Sequence, residues 1–120
     1  MKNIIGSFVF RDEGDGCLTS KYINRGMTSA LTESAKLQGP KSKNKFCGKY
    51  FSVWLDSPVD QNHSFLEITQ TPGNDDYELT WSNSKHPVLY KGQGMLFGDL
   101  LVGSYWSYNL EKLTLTAGEE

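Results

Sequence analysis

"YKGQGMLFGDLLVGSYW", residues 90–106, is the stretch on which the fold turns. It is apolar and aromatic enough to be two strands, yet it holds four glycines in seventeen residues. Gly98-Asp99 between two apolar runs is a two-residue hairpin signal. Side chains alternate along a strand, so Tyr90, Gly92, Gly94 and Leu96 share one face and Lys91, Gln93, Met95 and Phe97 the other. On the following run Leu101, Gly103 and Tyr105 share a face, and Val102, Ser104 and Trp106 the opposite one. Glycine weakens a strand interior and marks a bend or a close approach. Three readings stay open for Gly92 and Gly94: room for a Trp ring from across a barrel, a ligand cavity, or the bend that closing a barrel requires.

Outward from this hairpin the chain reads as short strands between turn signals. Tyr77–Ser82, "YELTWS", alternates with Tyr77, Leu79 and Trp81 on one face. Ser64–Gln70 alternates, and "TPGNDD" after it is a turn cluster. Phe46–Leu55, "FCGKYFSVWL", is rich in β-branched and aromatic residues, with Phe46, Tyr50 and Trp54 on one face. Ile4–Phe10 and Leu18–Ile23 flank "RDEGDG", and Leu110–Thr116 closes the series. Short connections make neighbours antiparallel. The expectation is an all-β, eight-stranded antiparallel up-and-down barrel, with a sandwich as its rival.

One segment breaks the rhythm. Asn24–Lys45 is expected as a 22-residue insertion between the second and third strands. Within it "TSALTESAKL" suits two helical turns with Met27, Leu31 and Ala35 on one side, or a short ninth strand around Ser34–Leu37.

At 120 residues a single domain, 1–120, is expected, long enough for a real core. Twelve basic and fourteen acidic side chains give a net charge of −2, which provides no field to draw in nucleic acid or an anionic membrane. The basic run Lys41, Lys43, Lys45 and Lys49 is read as a solvated surface. With no run of 18 apolar residues, no membrane span is expected. The opening "MKNIIGSFVFRDEGDG" lacks the long apolar core of a secretory leader, so a cytoplasmic location is expected. Cys17 and Cys47 lack metal-ligand spacing and are expected as reduced, buried thiols.

Nor does a catalytic or metal motif appear. Asp12, Glu13 and Asp15 miss the spacing of a calcium loop, and His63 and His86 fall in expected loops with no zinc pattern. No G-x-S-x-G occurs. No cofactor is expected. If the chain is an enzyme, Asp56, Glu67 and His63 are the first candidates. Phe46–Leu55 is also apolar on its second face, through Cys47, Phe51, Val53 and Leu55, which implies a cover, most simply a second copy in a two-fold dimer.

Four short motifs in order, "FCGKY" at 46–50, "YELTWS" at 77–82, "YKGQG" at 90–94 and Trp106, resemble the avidin/streptavidin-like barrels of the calycin group. The resemblance covers about half the chain. It implies a small, partly apolar ligand deep in the barrel, bound without catalysis. It makes Tyr50 a hydrogen-bonding residue, Ser52 a hydroxyl position, Trp81 and Trp106 ring walls, and Tyr90 part of the lining. Trp54, on the face of Tyr50, completes the expected binding set. The sequence departs from the family at the first turn, where "RDEGDG" offers no equivalent polar contacts, and at "LEKLTLT", which begins without the family's intersubunit Trp. The alternative in another class is a self-assembling barrel plugged by its own aromatics.

Overall fold

The computed structural model describes residues 4–55, 61–73 and 75–108. Eight strands follow in chain order: β1 Ile5–Gly14, β2 Cys17–Asn24, β3 Leu31–Leu37, β4 Gly48–Leu55, β5 Gln61–Gln70, β6 Tyr77–Ser82, β7 Tyr90–Phe97 and β8 Leu100–Ser107. Each pairs antiparallel with its neighbours, and β8 returns to β1 to close the barrel. Closure runs from Ile5↔Trp106 to Arg11↔Leu100. Every strand described thus has both edges paired.

The barrel and its strand number are as expected, and the short strand offered around Ser34–Leu37 is the barrel's third, extended back to Leu31. The presumed insertion contains β3, paired with β2 through Cys17↔Lys36 to Tyr22↔Leu31 and with β4 through Glu33↔Trp54 to Leu37↔Tyr50. What remains are two connections, residues 25–30 and 38–47. The reason is the period of "LTESAKL". Leu31, Glu33, Ala35 and Leu37 alternate with exposed or solvent-facing Thr32, Ser34 and Lys36, and two unpaired edges await exactly one such strand's hydrogen bonds. A glutamate among the inward positions conceals the pattern. The strand expected at Leu110–Thr116 lies outside the described residues.

The β7–β8 hairpin forms as its sequence predicts, Phe97 opposite Leu100, with Gly98 in the left-handed region at φ 61. The glycines on its inner face are occupied space. A Cβ on Gly92 would stand 3.0 Å from Cζ3 of Trp81. Gly94 and Gly103 face each other across β7 and β8, and a Cβ on Gly103 would lie 2.8 Å from Cζ of Phe8. Of the three readings open for Gly92 and Gly94, a ligand cavity is not what lies here: Trp81 and Phe8 occupy the space. Rings do fill this space, but the indole comes from β6, paired directly with β7, rather than from across the barrel.

Phe8, Phe10, Leu66, Ile68, Leu79 and Leu101 form the centre of the core. Burying such side chains stabilises at roughly 25 cal/mol per Å² of apolar surface.

Candidate functional site

The two ends of the barrel differ. At the end where β1 meets β2, the connection 38–47 folds inward. Phe46 is buried with its backbone at φ 71, a strained position for a bulky residue. Tyr50 donates its hydroxyl to the Phe46 carbonyl at 2.9 Å. Burial, with smaller effects from Asp12 and Cys47, pushes the Tyr50 phenol up to about 12. Phe46 narrows this end, where a depression of about 240 Å³ lies between the connection and Leu18, Leu37 and Tyr50; β4 starts at Gly48, so Phe46 belongs to the connection rather than to the strand expected from Phe46.

The other end is a pocket. Its floor is Phe8, and its walls include Tyr22, Trp54, Trp81, Tyr90 and Tyr105. The cavity measures about 40 Å³ within a depression of about 440 Å³ that opens to solvent. The rings meet edge to face: Tyr90 and Tyr105 at 6.1 Å and 89°, Trp54 and Tyr90 at 6.5 Å and 79°. Such contacts contribute about 0.5–1.5 kcal/mol each beyond area burial and hold the walls in place. Tyr105 donates its hydroxyl to Oδ1 of Asn24 at the mouth.

Into this aromatic box projects Glu33, from β3. Its carboxyl is buried. Oε2 accepts a hydrogen bond from Trp81 Nε1 at 2.8 Å and another from the Ser52 hydroxyl. Burial raises its pKa, and the two donated bonds oppose that rise in part. Around Glu33 runs a polar belt in an otherwise apolar interior. Ser20 is its cross-strand neighbour on β2, and Ser52 on β4 pairs with Ser64 on β5. All three serines are buried, and Ser64 Oγ has no hydrogen-bond partner among the described residues.

Of the residues expected to bind ligand, Trp54, Trp81 and Tyr90 converge on this pocket. Ser52 lies beneath it, joined to Glu33. Tyr50 stands at the opposite end, on the depression beside Phe46. Trp106 alternates with buried Tyr105 and sits on the outer face, opposite Ile5 and Lys91, so its expected place inside is corrected. Tyr105 takes that place. The face shared by Leu101, Gly103 and Tyr105 carried the signal, since Gly103 and Tyr105 belong to one side. Glu33 falls just ahead of the strand legible around Ser34–Leu37, and its charge disguises an inward position.

The residues first considered for acid–base chemistry do not assemble. Glu67 and His63 project from the outer face of β5, His63 against Phe51 at 5.7 Å rather than in a loop, and Asp56 lies outside the described residues. Cys17 and Cys47 are unpaired and half-buried. Among the described residues no group of three or more His, Cys, Asp and Glu is placed to hold a metal ion, and no helix is long and apolar enough to cross a membrane.

No family model, no curated protein and no solved structure matches the chain.

Proposed function

We propose that this barrel binds a small, partly apolar molecule, without catalysis, at its Trp81 end. The observation that carries the reading is the buried Glu33 carboxyl on the wall of an aromatic pocket, held by Ser52 and Trp81. Apolar rings would bury the ligand's body and the carboxyl would orient it. The motif resemblance to avidin-like barrels supports the same reading through Trp81 and Tyr90. It does not bring that family's ligand with it, because Tyr50 and Trp106, two of its matched positions, stand away from the pocket.

Intrinsic fluorescence tests this with a library of small aromatic and heteroaromatic compounds. A response is expected in wild type and in Trp106→Phe, is expected to weaken in Trp81→Phe, where Trp54 still lines the pocket, and is expected to disappear in the Trp54→Phe, Trp81→Phe double variant. Silence across the library would refute it.

A second reading is favoured by a separate observation. Phe8 and Trp81 fill the barrel's middle, and Phe51 and Phe65 pack together on the outer face at 5.9 Å while remaining exposed. In this reading a two-fold dimer forms over that outer pair, and the barrel is a self-associating module.

A further inference from the structure

We propose that the head group bound by the pocket is a small organic cation bearing N–H donors, such as a guanidinium or amidinium, set against the Glu33 carboxylate and walled by rings. This rests on the binding reading above and specifies its ligand class.

Charge is the first argument. Glu33 is the one carboxyl lining the cavity among the described residues, and no Lys, Arg or His lines it. The inward groups around it are Ser20 and Tyr22 from β2, Ser52 and Trp54 from β4, Trp81 from β6, Tyr90 from β7, Tyr105 from β8 and Phe8 from β1. Of these only the three tyrosines titrate, and none supplies a positive charge. A buried carboxylate without a cationic partner is costly. Two neutral donors reach only Oε2. An incoming cation supplies the missing charge.

The walls are the second argument. Aromatic faces attract cations and have no comparable preference for neutral amides. A guanidinium also stacks on rings and presents a planar fork that matches a carboxylate.

Size is the third. A cavity of about 40 Å³ has room for roughly three waters at ~10–15 Å³ each. That admits a head group of three or four non-hydrogen atoms, with the remainder of the ligand among the rings at the mouth.

The proton balances. Burial favours the neutral acid when the pocket holds no cation. Binding a cation to the carboxylate sends that proton to solvent, so the complex weakens as pH falls and the proton competes.

The test compares phenylguanidinium with phenylurea, matched in shape and differing in charge, by isothermal titration between pH 5 and pH 8. The expected result is a preference for phenylguanidinium of about tenfold or more at pH 8. That preference should shrink as pH falls, while phenylurea binding stays constant. In Glu33→Gln, checked for folding by circular dichroism, the preference should vanish. The wild-type comparison stands alone should the variant fail to fold. Equal binding of both probes, or tighter phenylurea, overturns the cation inference and leaves the binding reading intact. Binding of neither overturns the cation inference, and the fluorescence library then decides the binding reading separately.

Discussion

The indole Nε1 of Trp81 donates to Oε2 of Glu33 at 2.8 Å, joining β6 to β3 across the barrel interior. This bond ties a core residue to the wall of the pocket. Burial of the carboxyl, which this bond and that from Ser52 offset only in part, makes stability depend on pH. Folding raises the Glu33 pKa above the ordinary carboxylate value of about 4.3, so the native state holds the proton more tightly than the unfolded chain. Its contribution is fully present below about pH 4.3 and is lost as pH rises through the folded value. Urea unfolding of wild type should therefore lose stability over that window relative to Glu33→Gln. At neutral pH the Gln variant should be at least as stable as wild type, whereas Glu33→Ala, which strands Ser52 and Trp81, should cost about 1–3 kcal/mol.

Gly103 and Gly92 should respond differently to alanine. At 103 the new Cβ would collide first with the Gln93 carbonyl oxygen, then with the Gly94 Cα at 2.7 Å and the Phe8 ring at 2.8 Å, backbone on one side and a packed core ring on the other. Overpacking of this kind costs about 1–3 kcal/mol. At 92 the nearest atom is Cζ3 of Trp81 at 3.0 Å. There the ring must shift by a few tenths of an ångström, so Gly92→Ala should alter Trp81 fluorescence and probe binding more than it alters the urea midpoint.

Tyr50 belongs to the Phe46 end of the barrel and not to the Trp81 pocket. Removing its hydroxyl in Tyr50→Phe leaves the Phe46 carbonyl without its donor and should cost about 1 kcal/mol, with ligand titrations unchanged. Its phenol, pushed up to about 12, contributes stability that is present below about pH 10 and lost as pH rises through 12. Ultraviolet titration should show one late-ionising tyrosine fewer in the variant than in wild type.

The outer Phe51–Phe65 pair sets the association prediction. Phe65 is 56% exposed and packs edge to face on Phe51, with His63 beside them. Sedimentation velocity should show a dimer that Phe65→Ser converts to monomer without lowering the urea midpoint. A wild-type monomer at high protein concentration would contradict the two-fold association.

The strand periodicities of residues 77–82 and 90–106 carried the barrel, because period-two alternation and Gly98-Asp99 are local signals. Closure depends on β8 meeting β1, a pairing of residues a hundred positions apart that no local signal displays. The third strand is legible only in its second half, around Ser34–Leu37, and one residue obscures its start. Glu33 occupies an inward position where alternation demands an apolar side chain, and local rules fail there because the charge is held by Ser52 and Trp81 from distant strands. Trp106 illustrates the reverse error. Motif order placed it inside, whereas register with Gly103 puts Tyr105 there.

The measurement closest to the central claim is the indole region of a ¹⁵N–¹H correlation spectrum, where Trp54, Trp81 and Trp106 give one signal each. On adding a bound probe, the Trp81 signal should move most and Trp54 with it, while Trp106 on the outer face stays in place. A probe that binds yet leaves Trp81 unmoved, or shifts Trp106 alone, would contradict a ligand pocket built on Glu33 and Trp81.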